Sequence, residues 1–261
     1  MSIRTMGLSA SIVIGLAGTA NADFNGFGNF LQFRINQGDG GPAPGLGQNP
    51  SWIRLTNATD EQARSIFYRT PQDVTQFTAS FTYRAVGRTN TATFGACFVV
   101  QNSAAQDHAV GGIGFGYGGI ERSAAVSLEM GRPFGCFTNV YTNGVITPGA
   151  SSVAPIDFLS GHDIDVTVSY AGSILQTTFQ DRVTGAVYQA MNLIDIQSAI
   201  GGNTGYIGIT AGTSVWTNGE QYFSDFRYST VPSPGALGML GIAGALGIAR
   251  CRRRESAAGS C

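Results

Sequence analysis

The chain has 261 residues, of which 43% are hydrophobic and only 12% are charged, and its formal net charge is −1. All 15 basic residues are arginine. Between Asp23 and Thr230 ten arginines stand against fifteen acidic residues, so this middle region is mildly acidic, with a net charge of about −5. Nucleic acid is therefore not expected as a partner. The middle region is long enough for one domain with a full core.

The first 22 residues have the three parts of a secretory signal peptide. Arg4 supplies a positive charge, Met6 to Ala17 is a largely apolar run, and Ala20-Asn21-Ala22 offers the small residues that signal peptidase requires. The run is too short for a permanent membrane helix, although an N-terminal anchor remains the alternative. We therefore expect an exported chain that begins near Asp23 after cleavage.

The middle region alternates between apolar and polar residues in the manner of half-buried strands. Phe77 to Ala85 and Ile164 to Tyr170 show period two most clearly. Further strands are predicted at Trp52 to Leu55, Ala96 to Gln101, Ala125 to Met130, Ile174 to Phe179, Tyr206 to Thr210 and Gln221 to Ser229. Only Met191 to Ile200 is compatible with a short helix. Short strands separated by glycine and asparagine turns predict a single all-β antiparallel sandwich over residues 23–230.

Two cysteines, Cys97 and Cys136, fall within this region, whereas Cys251 and Cys261 lie near the C-terminus. An even pair in an exported protein suggests a Cys97–Cys136 disulfide. Two buried free thiols are the alternative. The cysteine spacing does not match a metal site.

Four segments, in order, resemble L-type lectins, the legume-lectin-like jelly-roll sandwiches. They are Trp52 to Asn57 with Ser65 to Tyr68 and Phe77 to Tyr83, then Gly95 to Gln101, then Gly111 to Ile120 with Ser123 to Glu129, and last Gly205 to Thr213. In that family the second segment adjoins a sugar-binding aspartate, and the third is a glycine-rich loop followed by a metal-bearing strand. The resemblance implies a concanavalin-like jelly roll.

The resemblance also implies a sugar site organised by calcium and a transition metal, but this chain lacks most of the ligands. Phe94 stands in place of the sugar-binding aspartate, and Gly131 stands in place of an acidic metal ligand, while Glu129 matches the metal-site glutamate. A lone glutamate cannot form a calcium cage. We therefore predict no metal at the family's position and no other cofactor.

The remaining parts of the site can bind sugar without a metal. The resemblance implies that Gly111 and Gly112 present backbone amides, and that Asn139 lies in the segment that supplies the family's asparagine. Phe94 offers a ring against which a sugar face can pack, and Trp216, in the loop from Ala211 to Asn218, offers a second. The alternative is that Phe94 belongs to the core and the glycines only form a turn.

Related jelly rolls include glycosidases, which need two carboxylates ~5–9 Å apart across the scissile bond. Gly131 and Pro133 occupy the positions where a partner for Glu129 would lie. Asp163 and Asp165, next to His162, share one strand face and are interpreted as solvent-facing polar residues. We predict no catalytic residues and no enzyme activity, and keep a glycosidase centred on Glu129 as an alternative.

The C-terminal region reads as a membrane segment. Pro232 and Pro234 precede an apolar stretch from Gly235 to Ala249, which spans only ~22 Å as a helix, and a cluster of Arg250, Arg252, Arg253 and Arg254 follows it. This order resembles the PEP-type sorting signal of bacterial surface proteins, with Pro-Ser-Pro replacing Pro-Glu-Pro. The resemblance implies that an exosortase removes residues 231–254 and the tail 255–261; an ordinary C-terminal anchor is the alternative.

The sequence thus predicts an exported protein of the cell envelope or extracellular space, held transiently at the membrane by its C-terminal helix. Its expected partners are the export machinery with signal peptidase, an exosortase, and a glycan or exopolysaccharide. The alternative function is a structural or matrix protein that uses the same sandwich without binding sugar.

Overall fold

The computed structural model describes residues 24–38, 43–46, 51–87, 93–103, 114–131, 135–214 and 219–230. The predicted signal peptide, the C-terminal sorting segment and the tail lie outside these residues, so they stay predictions. Across the described ranges, no helix is both long enough and apolar enough to cross a membrane.

Seventeen strands form in the described residues, together with a 3-10 turn at Phe30–Gln32 and one short helix, α1 (Ile196–Ile200). The strands are β1 (Phe24–Asn25), β2 (Phe33–Gln37), β3 (Gly45–Leu46), β4 (Trp52–Thr56), β5 (Ala63–Tyr68), β6 (Gln72–Asp73), β7 (Phe77–Gly87), β8 (Thr93–Gln101), β9 (Ser123–Gly131), β10 (Gly135–Thr138), β11 (Val140–Thr142), β12 (Ser151–Ser152), β13 (Ile164–Ala171), β14 (Ile174–Asp181), β15 (Val187–Leu193), β16 (Thr204–Gly212) and β17 (Gly219–Thr230).

These strands form two antiparallel sheets. In the described residues the eight-stranded sheet runs β15-β14-β13-β7-β17-β4-β3, with β1 pairing against β17. The nine-stranded sheet runs β12-β10-β9-β8-β16-β5-β2, with β11 on β9 and β6 on β16. The predicted all-β antiparallel sandwich is therefore confirmed.

Period-two alternation directs one face of each sheet into a shared core. On β13, Ile164, Val166 and Val168 are buried, whereas the residues between them are partly exposed. The nine-stranded sheet contributes Phe98 and Leu128 to the same cluster. Burial of such side chains is worth roughly 1.5–3 kcal/mol each, so this core is the main stabilising element of the fold.

The predicted strands all form, but the possible helix over Met191 to Ile200 is correct only in its second half. Met191 belongs to β15, where it pairs with Gln176 of β14. The helix begins after Asp195, whose side chain accepts a hydrogen bond of 2.9 Å from the Ser198 amide. It ends at Gly201, which has a φ of 72°. The cap residues, and not the apolar periodicity, set the limits of this helix.

Candidate functional site

The outer face of the nine-stranded sheet, turned away from the shared core, carries a second buried cluster. We call this surface the covered face. Its apolar members are Phe67, Cys97, Val99, Phe115, Tyr117, Ile120, Ala125 and Tyr141. The cluster forms because the loop of residues 114–120 lies over the strands, so that β9 is buried on both faces. The covered face is thus shielded from water in a way that a solvent-facing sheet is not.

Two glycines let this loop approach the sheet. A Cβ atom on Gly95 would lie 2.8 Å from Cδ1 of Phe115, and one on Gly116 would lie 2.6 Å from the Ala211 carbonyl oxygen. Gly116 also has a φ of 67°, in the left-handed region that favours glycine. Thr210 fixes the loop further, because its Oγ1 donates a 3.0 Å hydrogen bond to the Phe115 carbonyl.

Glu129 is a partly buried charged side chain near the end of β9, on the covered face. Its Oε1 accepts a hydrogen bond of 2.6 Å from Ser127 Oγ and another of 2.6 Å from the Tyr141 hydroxyl. Ser127 is held in turn by Asn139, whose backbone amide donates to Ser127 Oγ at 2.8 Å. Protein donors therefore engage one oxygen of the Glu129 carboxylate at short range.

The two tyrosines of the covered face are strongly biased toward the neutral state. Burial raises the pKa of Tyr141 above its ordinary range, and the hydrogen bond to Glu129 and the charge of Glu129 raise it further. Burial also raises the pKa of Tyr117 to about 12. The two rings stack with centroids 6.3 Å apart. At neutral pH Tyr141 is therefore a permanent hydrogen-bond donor to Glu129.

Asn139 is the predicted sugar-binding residue whose side chain the structure describes. It lies between β10 and β11, opposite Ser127, and is partly exposed. Its Oδ1 accepts a 2.9 Å hydrogen bond from the Val140 amide. Its side chain also interacts with Tyr141, where it lowers the phenol pKa against the larger effect of burial. Asn139 therefore presents a fixed amide beside Glu129.

A small cavity of about 90 Å³ lies on the same side of the nine-stranded sheet, away from Glu129. It is lined by Arg34, Phe67, Tyr68, Arg69 and Tyr206. Arg69 is oriented by a 3.0 Å hydrogen bond from its Nε to the Phe33 carbonyl. Aromatic rings next to guanidinium groups can pack against a sugar ring and donate to its hydroxyls.

The other predicted sugar-binding residues are described in part or not at all. Phe94 lies on β8 opposite Met130 of β9, next to the Gly95–Glu129 pair, but its side chain is outside the described residues. Gly111, Gly112 and Trp216 also lie outside them. The structure therefore brings the residue-94 strand and the residue-129 strand together, and the roles of the glycines and Trp216 stay predictions.

The predicted Cys97–Cys136 disulfide is wrong. Cys97 faces the covered side of β8, whereas Cys136 belongs to the shared core, where it pairs in register with Met130. The two residues are therefore on opposite faces of one sheet, and both are free thiols. Burial raises the pKa of Cys136 to about 11 and that of Cys97 well above its usual range, so both are poor nucleophiles.

Tyr141 and Ser127 are the site residues that the sequence analysis did not identify. Both lie on the same face as Asn139, since the Ser127 amide donates to the Asn139 carbonyl, the Asn139 amide donates to Ser127 Oγ, and Tyr141 pairs with Ala125. Period two around Asn139 is the signal that places Tyr141 on its face. The link to Glu129 requires the register between β9 and β11, which the sequence does not give.

Asp163 and Asp165 lie on the outer face of the eight-stranded sheet, which we call the open face. Arg84 Nε donates to Asp163 at 2.6 Å, and Arg182 Nε donates to Asp165 at 2.8 Å. These groups are 22–45% exposed, and Asp165 and Arg182 line a polar groove of about 340 Å³ together with Thr82. Because each carboxylate pairs with an arginine, the two aspartates belong to a surface ion-pair network.

His162 does not join these two aspartates. Its Nδ1 lies 2.9 Å from Oδ2 of Asp181. Burial opposes ionisation of Asp181, but hydrogen bonds from His162 and from the Thr184 and Val183 amides outweigh it and lower its pKa to about 2. The interaction is an ordinary structural one that fixes the turn after β14.

Among the described strands, none supplies a second carboxylate directly opposite Glu129, as a glycosidase would need. The register partners of Glu129 are Gly95 on β8 and Phe137 on β10, so neither neighbouring strand supplies a carboxylate opposite it. Nor does the site around Glu129 fit the metal pair implied by the lectin resemblance, because Gly131 has no side-chain ligand and Oε1 of Glu129 already accepts two protein hydrogen bonds. Within the described residues, no group of three or more histidine, cysteine, aspartate or glutamate side chains is arranged to hold a metal ion.

The fold is that of the legume lectins. Arcelin-5, a lectin-like defense protein from Phaseolus vulgaris, superposes with a TM-score of 0.68 at 12% identity, over 81% of this chain and 98% of arcelin-5. Lectin I from Ulex europaeus, solved with the methyl glycoside of α-L-fucose, gives 0.67 at 14% identity, over 81% and 98%. Basic winged bean lectin, solved with Tn-antigen, gives 0.66 at 17% identity, over 82% and 100%.

At these identities the likeness defines the fold alone. No protein-family model matches the chain. No curated protein matches it either.

Proposed function

We propose that this chain is an exported bacterial surface or extracellular protein whose lectin-like sandwich binds carbohydrate without a metal ion. The proposal combines three kinds of support. The sequence carries export and sorting patterns at its two ends. The fold is one in which solved relatives hold a fucoside and Tn-antigen. The covered face holds fixed polar groups next to aromatic rings.

The observation that carries the proposal is the hydrogen-bonded carboxylate of Glu129. In the lectin resemblance this glutamate is a metal ligand, and the metal orders the sugar-binding groups. Here Ser127 and Tyr141 donate to Glu129 at 2.6 Å each, and Ser127 in turn positions Asn139. Protein hydrogen bonds thus take over the ordering role that a cation performs in the family.

A glycan array run in excess chelator tests the proposal. We expect binding to a restricted set of glycans, weakened by about 1–2 kcal/mol in Asn139→Ala, because the fixed amide is lost. Gln180→Ala, on the open face, is the matched control and should bind as the unmodified chain does. Equal weakening of glycan binding in both variants would mean that the covered face is not the binding surface.

The second candidate function is a structural or matrix protein that uses the sandwich without recognising sugar. Phe94 favours this alternative, since it replaces the aspartate that is the strongest sugar acceptor in the L-type lectins. Absence of binding to every glycan on the array, by a chain that unfolds cooperatively, would favour this alternative over the first.

The export part of the proposal has its own test. Intact mass of the protein recovered from outside the cell should match a chain that begins at Asp23 and lacks the segment after Pro232 to Pro234. A mass that includes Gly235 to Ala249 and the following arginines would instead indicate an anchor left in place.

A further inference from the structure

The small cavity beside β5 differs in charge from the domain around it. Among the described residues its lining has no carboxylate, and it consists of two arginines and three aromatic residues: Arg34, Arg69, Phe67, Tyr68 and Tyr206. The middle region of the chain as a whole is acidic. A lining that is positive and aromatic is therefore a local exception, and it is complementary to a ligand that carries negative charge.

The register of three strands builds this cavity. Arg34 of β2 and Gly208 of β16 both pair with Phe67 of β5, so these residues form one row across the sheet. Arg69 and Tyr206 lie two residues along from this row and therefore face the same side. Because Gly208 has no side chain, the Phe67 ring lies against β16, and a Cβ atom on Gly208 would be 2.7 Å from Cε1 of Phe67. The cavity thus has an apolar floor with guanidinium groups beside it.

Arg69 is held in place and keeps donors for a ligand. Its Nε donates to the Phe33 carbonyl at 3.0 Å, and its backbone amide donates to the Gln32 carbonyl at 2.8 Å. No described carboxylate forms an ion pair with it, and its terminal nitrogens donate to no described residue. A guanidinium fixed in this way can bind a carboxylate or a sulfate through two parallel hydrogen bonds.

The size of the cavity limits which part of a ligand it accepts. Its volume of about 90 Å³ corresponds to roughly three water molecules of ~30 Å³ each. This space suits a carboxylate or sulfate group and is too small for a whole pyranose ring. The ring that carries such a group would lie at the mouth of the cavity, where Tyr206 is partly exposed and offers an aromatic surface.

We propose that this cavity binds the anionic substituent, a carboxylate or a sulfate, of an acidic polysaccharide. Arg69 and Arg34 supply the positive charge, and Tyr206 packs against the sugar that carries the substituent. The inference rests on the proposed carbohydrate binding and names the class of glycan. β5 and the Glu129 strand β9 are three strand spacings of about 4.8 Å apart, so the cavity and the Glu129 network would contact different sugar units of one polysaccharide.

A matched pair of ligands tests the charge requirement. Labelled oligogalacturonate and its methyl ester have the same sugar rings, but only the first is charged. In titrations with the full chain followed by fluorescence anisotropy, we expect the acidic form to bind at least about fivefold more tightly, and the difference to shrink in high salt. Sulfated and unsulfated dextran oligosaccharides form a second pair, which shows whether a sulfate is accepted in place of a carboxylate.

A matched pair of variants tests the location. Arg69→Gln should remove most of the preference for oligogalacturonate and leave the affinity for the methyl ester unchanged. Arg227→Gln removes the same charge from an exposed arginine of β17 in the eight-stranded sheet, and should change neither affinity. Equal unfolding midpoints of the two variants and the unmodified chain establish that folding is intact.

The possible failures separate this inference from the proposed function. Equal affinity for oligogalacturonate and its ester, together with binding to neutral glycans on the array, would overturn the inference alone. A preference that Arg227→Gln weakens as much as Arg69→Gln does would also overturn it, because the charge of the whole surface would then be responsible. Absence of binding in both assays would overturn both proposals. Loss of binding in Arg69→Gln but not in Asn139→Ala would support the cavity and count against the Asn139 site.

Discussion

The covered face and the open face are built from the same alternating strands but differ in what lies on them. Over the covered face, the loop of residues 114–120 forms a second cluster with Phe115 and Tyr117. The open face has no such layer among the described residues, and Asp165 and Arg182 there meet solvent. A carboxylate therefore has different surroundings on the two faces. Glu129 belongs to a hydrogen-bonded network that is shielded from solvent, whereas Asp165 belongs to a surface ion pair that solvent screens.

This difference predicts that equivalent substitutions have larger effects on the covered face. Buried hydrogen bonds to a charged group contribute about 1.5–3 kcal/mol, whereas exposed ion pairs contribute at most about 1 kcal/mol. The chain has matched residues on the two faces, so the losses in free energy of unfolding can be measured and compared.

The largest effect is expected at Gly116. Gly116→Ala combines a strained φ of 67° with a Cβ 2.6 Å from the Ala211 oxygen, and should lower the free energy of unfolding by about 3 kcal/mol. Gly185→Ala is the control, since it has a φ of 71° but open space around it, and should cost about 1 kcal/mol. Urea denaturation measures both. Similar losses would mean that the loop does not lie tightly on the sheet.

The next effect separates two tyrosine–glutamate hydrogen bonds. Tyr141→Phe removes the 2.6 Å bond that the buried Tyr141 donates to the partly exposed Glu129, and should cost about 2 kcal/mol. Tyr222→Phe removes the partly exposed 2.7 Å bond to Glu220 on the eight-stranded sheet and should cost under about 1 kcal/mol. Thermal unfolding of the two variants gives the comparison. A larger loss in Tyr222→Phe would contradict the assignment of Glu129 as the shielded carboxylate.

The dependence of stability on pH should distinguish the covered face from the rest of the molecule. Tyr117 and Tyr141 have raised pKa values, so the folded chain holds their protons longer than the unfolded chain does. Stability should therefore fall as pH rises above about 10, by up to about 1.4 kcal/mol per pH unit for each tyrosine.

Asp181, whose pKa is lowered to about 2, acts in the opposite direction. It contributes stability above its unfolded pKa of about 4, and that stability is lost as pH falls toward 2. Unfolding midpoints across the pH range measure both limbs. Tyr141→Phe should flatten the alkaline limb and leave the acid limb unchanged; a change in the acid limb alone would contradict the assignment.

The smallest effect is expected on the open face. Arg182→Gln removes the ion pair with Asp165 and should cost under about 1 kcal/mol, because the guanidinium is 45% exposed. The loss should shrink further in high salt. A salt-independent loss of more than about 2 kcal/mol would show that this network is as shielded as that of Glu129.

The sequence predicted the strands well because alternation is a local property. β7 and β13 were recognisable from period two alone. The extent of α1 was not, since Met191 is a residue that suits a helix and lies in β15 because β14 pairs with it. Tertiary pairing overrides propensity at such positions.

The site was less accessible from the sequence. Glu129 and Asn139 could be singled out by their resemblance to lectin positions, but their connection through Ser127 and Tyr141 depends on how β9 and β11 align. The disulfide was wrong for the same reason: only the pairing of Cys136 with Met130 reveals that it faces away from Cys97. The register between neighbouring strands determines which side chains are in contact, and the amino-acid composition does not specify that register.

The most direct test of the account is a metal titration on the intact chain, because the central claim is that Ser127 and Tyr141 take the place of a cation at Glu129. Calorimetric titration with calcium and then manganese should give no binding heat, and glycan affinity should be equal in excess chelator and in excess metal. Stoichiometric uptake of either ion, with glycan affinity lost on chelation, would contradict it.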